Sequence, residues 1–184
     1  MRLYCACGMA KGWKSGFLLN SAIDAKLYNV YPIKDGLKPV IVYLTQENSI
    51  KETILRVWSR CFGNNDELKN VDAKKAARLL EENHIFTPNN PNEAELLIWH
   101  RPTRSISTID LTGMLDDLKK DGKYCVFLVQ DYIKRIRSST NEKEPRLEYA
   151  RVTDDFCNIA KQFDIPILTA MQLDKTGLYI SNSI

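Results

Sequence analysis

Short apolar runs rich in β-branched residues alternate with capped segments of helical period, and this alternation limits the possible folds more than any other feature of the chain. Residues 2–7, 39–44, 96–99, 124–129 and 165–170 read as strands, and residues 14–25, 49–61, 72–83, 107–122 and 146–163 read as helices. The helix at 49–61 has the clearest signature. Ser49 and Glu52 have the spacing of a capping box, and Ile50, Ile54, Val57, Trp58 and Cys61 fall on one face. Ser107 and Asp110 repeat the start signal ahead of Leu111, Met114, Leu115 and Leu118, and the last helix carries a stripe of Val152, Phe156, Ile159, Ala160 and Phe163. Strands separated by helices predict βαβ units, hence an α/β fold with a mostly parallel sheet covered by helices on both faces. Such sheets hold their ligands at the carboxyl ends of the strands.

The length of 184 residues suits one domain. The longest apolar runs, 40–44 and 125–129, fall far short of the about 18 residues that span a bilayer, so no membrane segment is expected. Gly8, Lys11 and Lys14 break up the N-terminal stretch, so no secretory signal is expected either. A net charge of +3 is too small to announce nucleic-acid binding by itself. Of the five cysteines, Cys5, Cys7 and Cys125 lie in apolar strands and are expected to be buried, reduced thiols of a cytoplasmic protein. Cys5-x-Cys7 has the wrong spacing for a zinc knuckle, and with only His84 and His100 available no metal-ligand cluster is expected.

Four strand ends carry residues with chemical potential. After the first strand, Gly8, Met9, Ala10, Lys11, Gly12, Trp13, Lys14 and Ser15 follow G-x-x-x-x-G-K-[ST], except that Trp13 stands where the second glycine belongs. That pattern calls for backbone N–H groups around phosphates, a lysine on the β/γ-phosphates and a hydroxyl on Mg²⁺. The tryptophan is expected to fit only with a negative φ and its ring turned from the phosphates. After the second strand comes Glu47, either a base for an attacking water or an acid placed at a helix N-terminus. Residues 126–129 lead through Gln130 to Asp131, an apolar strand ending in a carboxylate suited to Mg²⁺, although Gln130 occupies a place usually apolar. After the last strand, Gln172 offers an amide for a γ-phosphate.

Taken together these segments resemble the RecA-like motor domain of DnaB-type hexameric replicative helicases, particularly divergent phage-like members. The resemblance lies in residues 39–56 around Glu47, in the Asp-Tyr-Ile-Lys-Arg-Ile of 131–136 and in the Ile-Pro-Ile-Leu-Thr-Ala-Met-Gln-Leu of 165–173. It implies ATP and Mg²⁺ as ligands, with Lys14 on the β/γ-phosphates, Ser15 and Asp131 on the metal, Glu47 activating water and Gln172 sensing the γ-phosphate. It also implies loops facing a pore, with Lys134, Arg135, Arg137 and Lys175 touching single-stranded DNA, and a homo-hexameric ring with primase and loader as partners. The expected domain is a single RecA-like core over 1–184, a fragment that lacks the family's N-terminal domain and last strands. An arginine finger from a neighbour contributes about 10³–10⁵ in rate, so slow hydrolysis is expected of the isolated chain. The alternatives are a RecA/KaiC-like recombination or regulatory ATPase, and a degenerate phosphate-loop module that binds or assembles without catalysis.

Overall fold

The computed structural model describes residues 2–9, 13–63, 71–140 and 142–173. Its elements follow the order β1 (Leu3–Gly8), α1 (Lys14–Tyr28), β2 (Lys38–Thr45), α2 (Ile50–Phe62), α3 (Ala73–Glu82), β3 (Glu95–His100), α4 (Thr108–Lys120), β4 (Lys123–Asp131), α5 (Pro145–Gln162) and β5 (Ile167–Gln172). A single 3₁₀ turn, Ile133–Arg135, follows β4. All four strand pairings are parallel, in the spatial order β1-β5-β4-β2-β3.

Both sheet faces are buried, and β2 shows how. Val40, Val42 and Leu44 point to one side, where Leu111 and Leu115 of α4 and Val152 and Phe156 of α5 complete the core. Ile41 and Tyr43 point to the other, against Leu18, Ala22 and Ile23 of α1, Val57 and Trp58 of α2 and Leu80 of α3. The two-residue period of a strand thus feeds two apolar layers at once, as a central parallel strand requires.

Helix starts follow the sequence signals. Ser49 and Ser107 both form complete capping boxes, with Glu52 and Asp110 respectively. The stripe of α2 differs in one place: Ile50 is 49% exposed, while Thr53 is buried and donates its hydroxyl to the Ser49 carbonyl. Ile50 is the first residue of α2 and stays half-exposed.

The cysteine expectation needs correcting. Cys125 is buried, and burial pushes its thiol up to about 12. Cys5 and Cys7 are exposed. They lie on β1, which among the described residues pairs with β5 alone and forms one margin of the sheet, so a helix layer wide enough for the centre leaves its outer positions uncovered. Burial still raises the Cys5 thiol to about 11, with Cys7 beside it adding to the shift, which keeps it protonated at neutral pH.

Chain direction reverses its side of exit between two neighbours. The segment after β2 turns to the face of α1, α2 and α3, and that after β4 turns to the face of α4 and α5. The crevice between β2 and β4 is therefore the switch point at which ligands bind such sheets. The Ser49 cap fixes the turn from β2 into α2 at this crevice. Ser49→Ala should lower stability by about 1 kcal/mol in chemical denaturation. A loss below about 0.3 kcal/mol would mean that the turn is held by packing alone.

Candidate functional site

The strand register sets the site. Thr45 of β2 pairs with Asp131 of β4, and Gly8 of β1 pairs with Gln172 of β5, so the residues after β2 and at the ends of β4, β1 and β5 emerge along one edge. A cleft of about 800 Å³ opens there, and Lys14, Ser15, Glu47 and Gln172 all line it. Asp131 lies just below, fully buried, and its carboxylate gathers three elements. Oδ1 accepts from Ser15 Oγ at 3.0 Å. Oδ2 accepts from the Tyr43 hydroxyl at 2.9 Å and from Asn48 Nδ2 at 3.2 Å.

Burial raises the Asp131 carboxyl above its ordinary value; the hydrogen bonds from Ser15 and Tyr43 oppose that shift, and the Glu47 charge adds to it. Tyr43 is pushed up as well, first by burial and then by the charge of Asp131. A hydroxyl and a carboxylate in direct contact at a strand end are the hard oxygen donors that Mg²⁺ prefers. A divalent cation between Ser15 and Asp131 would also supply the positive charge that the buried carboxylate lacks. The donor set fits the metal.

Lys14 begins α1 and folds back over its own loop. Its ammonium donates to the carbonyls of Gly8 at 3.2 Å and Met9 at 2.5 Å. A Cβ at Gly8 would sit 3.5 Å from Lys14 Cγ, an ordinary van der Waals contact, so the fold-back of the lysine does not depend on a glycine there. Ala10, Lys11 and Gly12 lie outside the described residues, as does Lys175. Trp13 overturns the expectation of a negative φ. Its φ is +59° and its ψ is +19°, so it keeps the left-handed backbone natural to the glycine it replaces. That conformation costs an L-residue roughly 1–2 kcal/mol. The indole lies over Gly16, where a Cβ would come within 2.8 Å of the ring, and remains 73% exposed at the cleft mouth. Gly16 is what lets a large side chain follow this backbone.

Behind the charged groups runs a neutral layer. Thr169 Oγ1 lies 2.9 Å from both the main-chain and the side-chain oxygen of Gln130 and donates to one of them. Gln130 Nε2 donates to Gln46 Oε1 at 3.3 Å and to the Tyr132 carbonyl at 3.0 Å, and Gln46 Nε2 donates to the Pro102 carbonyl at 3.3 Å. Gln130, the polar residue in an apolar place, thus joins β4 to β5 and to the turn that carries Glu47.

The basic residues after Asp131 do not form a free stripe. Ile133 and Ile136 are buried in the core beneath α5. The Lys134 ammonium sits 5.1 Å from the centroid of the Tyr149 ring. Arg135 Nη2 lies 3.5 Å from Glu47 Oε1, with its guanidinium 5.0 Å from the centroid of the Tyr132 ring. Arg137 is exposed, and its backbone bridges to Ser107. Four cleft residues escape a reading of the sequence: Tyr43 and Asn48, which hold Asp131, and Arg56 and Arg60, which line the cleft from α2. The two arginines stand four apart on the helix after Glu47, a same-sign pair on one face, and that spacing is the available signal.

Ionised Asp131 is a stability cost that an amide avoids. In Asp131→Asn the new side chain would accept from Tyr43 and Asn48 through its oxygen and donate to Ser15 through its nitrogen, retaining every contact. Because burial raises the folded-state value, wild-type stability falls as pH rises from the unfolded carboxylate value of 3.8 through the folded one. Asp131→Asn should therefore melt about 2–4 °C above wild type at neutral pH, with the gap closing in acid below that range. Equal melting curves at both pH values would show that the buried charge costs nothing.

The comparisons with known proteins bear on the fold and the family. Among solved structures, one ATPase domain superposes with a TM-score of 0.67 at 15% identity, covering 96% of this chain and 59% of that one. A DnaB-like replicative helicase, solved in a study that includes its interactions with primase, gives 0.65 at 15% identity, covering 96% of this chain and 40% of that one. The fold is therefore RecA-like, and the chain spans less than two thirds of either protein. No curated protein matches the sequence. A family profile, that of the divergent DnaB-like ATPases, matches residues 1–166, and on this match the chain belongs to the divergent DnaB-like ATPase family.

Proposed function

We propose that this chain is the ATP-hydrolysing motor core of a replicative DNA helicase. One observation carries the reading: Ser15 and Asp131, 116 residues apart, meet at 3.0 Å just beneath the cleft that Lys14, Glu47 and Gln172 line. Ser15 and Asp131 would hold Mg²⁺, which neutralises charge on the β- and γ-phosphates. Lys14 exchanges the Gly8 and Met9 carbonyls for phosphate oxygens and offsets the charge left on ADP. Glu47 takes a proton from water as its oxygen bonds to the γ-phosphorus and the bridging P–O bond to ADP breaks. The Gln172 amide donates to a γ-phosphate oxygen and loses that partner once phosphate leaves.

The same reading assigns the loops after Asp131 and Gln172 to single-stranded DNA, with Arg137 the most available of the described basic residues. A homo-oligomeric ring with nucleotide at the subunit boundaries, acting in the cytoplasm beside a primase, completes it. One feature favours a second reading, a nucleotide-binding or assembly module without turnover: Trp13 in the phosphate loop keeps its ring at the cleft mouth.

Trp13 supplies the readout. It is 73% exposed beside the site, whereas Trp58 is 7% exposed in the core. Addition of Mg·ATP should change tryptophan emission in wild type, and Trp13→Phe should remove the change. Lys14→Ala should weaken binding at least about tenfold, the loss of one charge-assisted contact or more. Glu47→Gln should bind as wild type does while releasing no phosphate. Unaltered affinity in Lys14→Ala sinks the phosphate-loop assignment. Binding without phosphate release in wild type selects the second reading.

A further inference from the structure

Arg135 touches the residue assigned as the base. Its Nη2 lies 3.5 Å from Glu47 Oε1, with the two side chains 33% and 44% exposed. Its Nε is buried and has no hydrogen-bond partner among the described residues. The only other side-chain contact described for it is the face of Tyr132, at 5.0 Å. The backbone, by contrast, is fixed. The Arg135 carbonyl accepts from Arg104 N–H at 2.7 Å, its N–H donates to the Tyr132 carbonyl at 2.9 Å, and Ile133 and Ile136 on either side are buried. The guanidinium is thus a partly buried group on a rigid base, and leaving Glu47 costs it one long ion pair and its place over Tyr132 while freeing a buried donor that has no partner among the described residues.

We infer that Arg135 is a positioning residue that restrains Glu47 in the resting site and releases it when a DNA backbone phosphate takes the guanidinium. An Arg-bound carboxylate has one oxygen and its negative charge engaged, and both are needed to orient a water and accept its proton. A phosphate competes well because two of its oxygens can meet the planar fork of the guanidinium, which a single contact at 3.5 Å does not use. An exposed pair of this kind shifts a population by no more than about fivefold, enough to modulate turnover and weak enough to be broken by one ligand. The link is short: Arg135 stands four residues beyond Asp131 on the segment assigned to DNA, so one side chain serves both sites. This inference rests on the reading of Glu47 as the base.

The test is steady-state phosphate release by the full chain with Mg·ATP, with and without oligo(dT). Arg135→Gln should raise basal kcat about fivefold with KM within about twofold of wild type, and oligo(dT) should then add nothing further. Arg135→Lys, which keeps a cation near Glu47, should stay closer to the wild-type basal rate and retain stimulation. A basal rate in Arg135→Gln at or below wild type overturns the inference, as does stimulation that survives the substitution or a wild-type rate indifferent to oligo(dT). Glu47→Gln separates the two levels. If it hydrolyses at the wild-type rate, the assignment of the base fails and this inference with it. If it is silent while Arg135→Gln behaves as wild type, only the role of Arg135 is lost.

Discussion

The arrangement depends on one buried carboxylate. Asp131 ends β4 with no exposed surface and is held by Ser15 from the start of α1, Tyr43 from β2 and Asn48 from the turn before α2. Residues 15, 43–48 and 131, far apart in sequence, are drawn to one point beside Lys14 and Glu47. Hydrogen bonds of this kind are stronger than neutral ones, but they do not restore the hydration lost on burial. The buried carboxylate is thus held in a state that an added cation would improve.

The architecture is legible in the sequence because its signals are local. Capping boxes at Ser49 and Ser107, β-branched runs in β2 and β4, and the stripe of α5 each specify an element without reference to the rest of the chain. The strand-end rule then places Lys14, Ser15, Glu47, Asp131 and Gln172 at one edge, where the register puts them. The departures concern neighbours. Whether Cys5 and Cys7 are covered depends on β1 having a single partner strand among the described residues, and no pattern within residues 2–7 records that.

Trp13 and Arg135 show the same limit at the scale of single side chains. A tryptophan in a left-handed backbone looks forbidden until Gly16 is seen beneath its ring, three residues on and one helical turn away. Arg135 belongs to a basic cluster in sequence, yet the rigid turn between Ile133 and Ile136 aims it at Glu47 on the neighbouring strand's exit. The composition of a loop gives its charge, while the direction of each charge is decided by which residues of that loop are buried.

The row formed by Thr169, Gln130 and Gln46 has a consequence of its own. Every member is a hydroxyl or an amide, so none gains or loses a proton across the range in which proteins stay folded. The scaffold behind the cleft carboxylates is therefore electrically silent and does not relax as acidity changes. An acid response in this part of the molecule has to originate in the carboxylates in front of it, which makes the rear wall a fixed reference against which their ionisation can be read.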